Sequence, residues 1–92
     1  MRGRRRRDRL TFRSSLPEDT LHGGARVTWF GRTGVLAEGQ RGVIELTDTR
    51  IRLRTRDGVL SVSGEAMTLG ELSADAAMIR ARRIDTVAYL HP

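Results

Sequence analysis

The chain has 92 residues and no cysteine, which excludes disulfides, thiolate catalysis and cysteine zinc sites and leaves one small core to hold a single domain. With 38 % apolar residues, it has no run near the roughly 20 that a membrane-spanning helix needs, and its start lacks a signal peptide's apolar core. The expectation is a soluble, cytoplasmic chain without a cleavable export signal.

The net charge of +6 is unevenly placed, since residues 1–13 hold seven Arg against one Asp, an excess of six, and the remainder carries ten Arg and ten acids. All 17 basic residues are Arg, and the chain has neither Lys nor Asn. This bias fits a GC-rich genome and is weak evidence for bidentate recognition.

In chain order, residues 1–15 form a basic arm, either flexible or a short helix around residues 5–12, and residues 16–92 a single all-β domain. Leu16-Pro17-Glu18-Asp19 reads as a turn, and His22-Gly23-Gly24 as a flexible lead into the first strand. Residues 27–30 and 33–37 form a hairpin about Gly31-Arg32, which pairs Val27 with Leu36 and Thr28 with Val35. Glu38-Gly39-Gln40-Arg41 then leads into residues 42–70, where apolar and polar residues alternate and turn signals recur.

Ile44 and Leu46, Ile51 and Leu53, Leu60 and Val62, and Met67 and Leu69 are expected to share one buried face. A loop at Asp48-Thr49 pairs Leu46 with Ile51 and Ile44 with Leu53, and sets Glu45 beside Arg52. A loop at Asp57-Gly58 pairs Leu53 with Val62, and a type II′ loop at Gly64-Glu65 pairs Val62 with Met67. Residues 71–76 form a connection with room for a helical turn. Residues 77–90 read as one long strand whose apolar phase breaks near Arg82-Arg83, which predicts a bulge. The expected architecture is an antiparallel meander of about seven strands, closed as a sandwich, a roll or a partly open barrel.

Two sets of Arg are candidate interaction residues. Arg50, Arg52, Arg54 and Arg56 alternate along one strand and project from one face about 7 Å apart. They form either a grip for phosphates or an acidic partner, or a solvated face neutralised by Glu45. Arg4, Arg5, Arg6 and Arg7 form a polybasic segment for contact with an anionic membrane surface, for nonspecific nucleic-acid binding, or for neither.

Other features are weaker. Gly31-Arg32-Thr33-Gly34 matches the GxxG of an RNA-binding KH loop, but that loop joins helices and this one joins strands. Phosphorylation at Ser14-Ser15 would offset the charge of the arm, although a plain linker accounts for the pair. His22 and His91 have no carboxylate or nucleophile partner in the pattern, and two His are too few for a metal site. Trp29 and Tyr89 read as core or interface anchors. No enzyme activity, cofactor or metal is expected.

The segment Val27-Thr28-Trp29-Phe30-Gly31, then Glu38, Arg41-Gly42-Val43-Ile44-Glu45, Thr47, Arg50-Ile51-Arg52, Thr55, Gly58, Leu60, Val62, Gly64, Leu69 and residues 84–90 resembles the YabP/YqfC family of sporulation proteins. The resemblance spans about residues 16–90. Gly39-Gln40 stands where the family usually has Asn-His, Gly24-Ala25 where it has Leu-Pro, and Arg82 where it has Gly. The resemblance implies a noncatalytic structural or assembly protein made in the mother cell during endospore formation, acting near the outer forespore membrane. It implies a membrane-anchored YqfD-like companion and carries over no catalytic residues. Exposed edges in so small an all-β domain predict a homo-oligomer or an obligate complex. A small nucleic-acid-binding β-barrel using its basic arm is the alternative.

Overall fold

Ten strands account for nearly all of the structure described by the computed structural model, which covers residues 9–10, 18–22 and 24–91. They are β1 (Arg9–Leu10), β2 (Glu18–His22), β3 (Ala25–Phe30), β4 (Gly34–Glu38), β5 (Gly42–Leu46), β6 (Arg50–Arg54), β7 (Val59–Glu65), β8 (Thr68–Leu72), β9 (Ala76–Arg80) and β10 (Arg83–Leu90). They form two antiparallel five-stranded sheets, ordered β1-β10-β7-β6-β5 and β2-β3-β4-β9-β8. The protein is an all-β sandwich, one of the closures expected from the sequence. The three strands beyond the expected seven are β1, β2 and the second half of the final strand.

Alternation supplies the core. Val27 and Trp29 of β3, Val35 and Ala37 of β4, and Ala77 and Ile79 of β9 face inward from one sheet, against Ile51, Leu53, Leu60, Val62, Ile84 and Val87 from the other. Each fully buried Val, Leu or Ile contributes roughly 1.5–3 kcal/mol. Met67, on the passage between sheets, is also buried and joins the same cluster.

From β2 onward the chain changes sheet three times. The first change, between β4 and β5, runs through buried Gln40, whose Nε2 donates to the Ser73 carbonyl at 3.2 Å while its Oε1 accepts from the Gly42 N–H at 2.8 Å. The side chain thus links the β8–β9 turn of one sheet to the first residue of β5 in the other.

The second change overturns the fourth strand of the expected meander. No hairpin forms at Gly64-Glu65. Instead Ala66 adopts a left-handed φ of 55°, the Met67 N–H donates to the Asp48 carbonyl at 2.8 Å, and β8 pairs with β9 in the opposite sheet. The free side of β7 is taken by β10, with Gly64 opposite Ile84. A Cβ on Gly64 would overlap the Arg83 carbonyl oxygen, so this glycine serves a close strand approach rather than a turn.

The third change divides the expected final strand. It falls at Ala81-Arg82, close to where the apolar phase breaks, and β9 and β10 lie in different sheets. The bulge itself is one turn of the pattern later, between Ile84 and Thr86, where Arg83 Nε donates to Asp85 Oδ1 at 2.7 Å.

Other local expectations change by one or two residues. The β3–β4 loop holds three residues rather than two, so Val27 pairs with Ala37 and Trp29 with Val35. Gly31 takes a φ of 63°, and the carbonyls of Arg32 and Thr33 accept from Ile84 and Ala81 at 2.6 and 2.9 Å, which ties the loop to the β9–β10 passage.

At the β6–β7 turn, Leu53 pairs with Leu60, not with Val62. Arg56-Asp57 forms the corner, because the buried Thr55 hydroxyl both donates to the Gly58 carbonyl and accepts from the Gly58 N–H, each at 3.1 Å. A Cβ on Gly58 would overlap the Leu90 carbonyl. The slip is two residues, so the buried face is unchanged.

Glu18 and Asp19 lie in β2, paired with Trp29 and Thr28, instead of in a turn. Residues 73–76 form a tight β8–β9 turn closed by Ser73 N–H to Ala76 O at 2.8 Å, and no helical turn forms there. Arg9 and Leu10 pair with Ala88 and Val87 as a short edge strand, and the rest of the basic arm lies outside the described residues.

Candidate interaction surface

In β6, Arg50-Ile51-Arg52-Leu53-Arg54 alternates so that Ile51 and Leu53 are fully buried while the three Arg point away from the core. Strand register extends each Arg into a row. Arg50 lies beside Ser63 and Thr86, Arg52 beside Ser61 and Ala88, and Arg54 beside Val59 and Leu90. The outer face of this sheet is therefore a column of guanidinium groups bordered by the small side chains of Ser61, Ser63, Thr86 and Ala88, with Val59 and Leu90 at one end.

Part of the charge is neutralised, as the pairing of Glu45 with Arg52 predicts. Glu45 accepts two hydrogen bonds from Arg50, from Nε and Nη2, both at 3.1 Å, and lies 3.6 Å from Arg52 Nη1. The hydrogen bonds from Arg50 hold the Glu45 carboxyl below its usual pKa, reinforced by the charge of Arg50 and by Arg52 and partly opposed by desolvation.

Arg54 takes part in no ion pair among the described residues. Opposite it in β5 stands Gly42, which has no side chain to meet it. Arg56 leaves the stripe, because it occupies the corner of the β6–β7 turn, where Nη2 lies 3.5 Å from Asp57 Oδ2. It still lines, with Arg52, Arg54, Val59, Leu90 and His91, an open depression of about 610 Å³ at that end of the sheet. Arg4, Arg5, Arg6 and Arg7 lie outside the described residues.

The structure adds β5, which the alternation pattern had assigned to the core. Among the described residues β5 is an edge strand, paired on one side only, and its Val43, Ile44 and Leu46 are 38, 43 and 54 % exposed. The pairing of Leu46 with Ile51 holds, but Leu53 meets Val43 and not Ile44, because a bulge falls between Val43 and Glu45. Period two reports which side chains share a face and is silent about whether a strand is central or outermost.

The second sheet presents a different outer face. Leu36 and Met78 are half-buried neighbours in register, Phe30 is 40 % exposed, and the Met78 methyl lies over Gly34. Its edge strand β8 exposes Leu72 at 56 %.

Among the described residues, no group of His, Asp and Glu is placed to hold a metal ion, and no helix is long and apolar enough to cross a membrane. The model of the YabP family matches residues 22–92 of the chain. No curated protein and no solved structure matches it.

Proposed function

The chain belongs to the YabP family, and from that membership and its exposed edge we propose that it is a noncatalytic structural protein of endospore formation, working through protein–protein contacts near the forespore membrane. Membership is consistent with a sporulation-related role. The observation that carries the assembly reading is β5, an unpaired strand edge on which three large apolar side chains stand exposed beside an Arg-Glu network. Such an edge offers N–H and C=O groups to an incoming strand and apolar side chains to cover, the two requirements of β-addition.

In this reading the protein is made in the mother cell and acts in its cytoplasm, as a homo-oligomer or with a membrane-anchored YqfD-like protein. The basic arm adds attraction to the anionic leaflet, worth about 1 kcal/mol per basic residue near it.

Affinity capture from sporulating cells tests this, using the full chain and a version lacking residues 1–13. Recovery of a membrane-anchored sporulation protein by both, with less membrane lipid for the shortened one, is expected. Recovery of ribosomes or chromosomal DNA that is lost on raising the salt would favour a nucleic-acid binder instead.

A further inference from the structure

We propose that β5 is the two-fold contact of a homodimer, in which two copies pair antiparallel about the midpoint between Val43 and Ile44. This names the partner for one surface of the assembly reading and rests on that reading only for its biological purpose.

The bulge in β5 makes the strand self-complementary. In a regular strand, residues three apart face opposite sides. Here Glu45 is opposite Arg52 and Gly42 opposite Arg54, and both Arg belong to the outer face. Gly42 and Glu45 therefore share the outer face, while Val43 and Leu46 lie in the rows of buried Leu53 and Ile51. The extra residue at Ile44 causes this change of phase.

Pairing about that midpoint sets Val43 opposite Ile44 of the second copy and Gly42 opposite Glu45 of the second copy, in both directions. The apolar pairs meet at the centre and cover side chains that are 38 and 43 % exposed in one copy. On the outer face, each Arg54 looks across its own Gly42 toward Glu45 of the second copy, two strand spacings or about 9.6 Å away. Nothing surrounds the Cβ position of Gly42 within 4 Å, so an Arg and a Glu reaching toward each other meet above it. The row that lacks an acid within one copy obtains it from the other, and Glu45 joins the Arg50-Arg52 network of its own copy to Arg54 of its neighbour.

The contact is isologous and closes at two copies, merging two five-stranded sheets into one of ten. Another free edge, β8, has a bulge of the same phase, between Leu69 and Glu71, and sets Arg80 opposite Thr68 as β5 sets Arg54 opposite Gly42, but its extra residue is Gly70, which gives Leu69 of a second copy no apolar side chain to meet. A bulge often protects an edge from pairing. In β5 it does so against strands of regular phase and leaves a match for a strand with the same bulge.

The test uses the full chain. Light scattering at micromolar concentration is expected to give twice the monomer mass. Ile44→Lys is expected to give a monomer with unchanged circular dichroism, and Arg54→Glu to weaken dimerisation by about tenfold. Because the chain has no cysteine, oxidative cross-linking supplies the register. Val43→Cys mixed with Ile44→Cys is expected to cross-link more than either alone, and Leu72→Cys, exposed on the other sheet, not to cross-link.

A monomer throughout, a dimer that survives Ile44→Lys, or cross-linking through Leu72→Cys alone would each overturn the proposal. None of these bears on capture of an envelope protein, so the two readings fail separately.

Discussion

β7 and β5 belong to one sheet, two strands apart, and both read in the sequence as alternating apolar strands, yet they do opposite work. β7 is paired on both sides and buries Leu60 and Val62 completely. β5 is paired on one side and leaves Val43, Ile44 and Leu46 exposed. An alternating strand becomes core when neighbours occupy both of its edges and a sheet covers its face. The same grammar at an edge becomes a surface for association.

The contrast is most easily broken at Gly64 in β7. Gly64→Ala is expected to lower stability by about 4 kcal/mol or prevent folding, since the added methyl meets the Arg83 carbonyl and must push β10 away. Urea unfolding measures this, and a loss under about 1 kcal/mol would mean that β10 sits less closely on β7 than described.

Truncating one Leu in each strand sharpens the comparison. Leu60→Ala is expected to cost about 3 kcal/mol, whereas Leu46→Ala should cost less than about 1 kcal/mol. Equal losses would show that β5 is covered in the species measured, so the pair belongs under conditions where the chain is monomeric.

The smallest effect is electrostatic. The Glu45 pKa is held below the ordinary carboxylate value, so its ion pairs stabilise the fold above that value and cease to do so as pH falls through the lowered pKa. Melting curves of the parent chain and Glu45→Gln should therefore differ near neutral pH and converge in acid. A gap that widens on acidification would contradict the assignment.

Much of the fold was legible, and for identifiable reasons. The face shared by Ile51, Leu53, Leu60 and Val62 follows from period two, and it survived the misplaced Asp57-Gly58 turn because a slip of two residues leaves the faces as they were. The contact of Glu45 with Arg52 followed from the position of the Asp48-Thr49 turn.

The candidate site was half legible. Its Arg column came from alternation, but the placing of Arg54 opposite Gly42 and the departure of Arg56 into a corner depended on the bulge in β5 and on the Thr55 hydroxyl capping the turn. The exposure of β5 had no local signal, since being outermost is a property of the whole sheet. Gly64 misled because glycine reads alike whether it serves a turn or a close approach, and here β10, twenty residues on, needed the space.

The sequence by itself determined that the chain is all-β, that Ile51, Leu53, Leu60 and Val62 share one buried face, and a family likeness now matched over residues 22–92. These rest on local alternation, turn residues and their order, all written within a few positions of one another. The tertiary structure alone decided which strands are neighbours, that the chain crosses between sheets at Gln40, Ala66 and Ala81, and that β5 is an edge. Those outcomes depend on two apolar faces covering each other, and on hydrogen bonds such as Met67 N–H to Asp48 O and Ile84 N–H to Arg32 O between residues far apart in the chain.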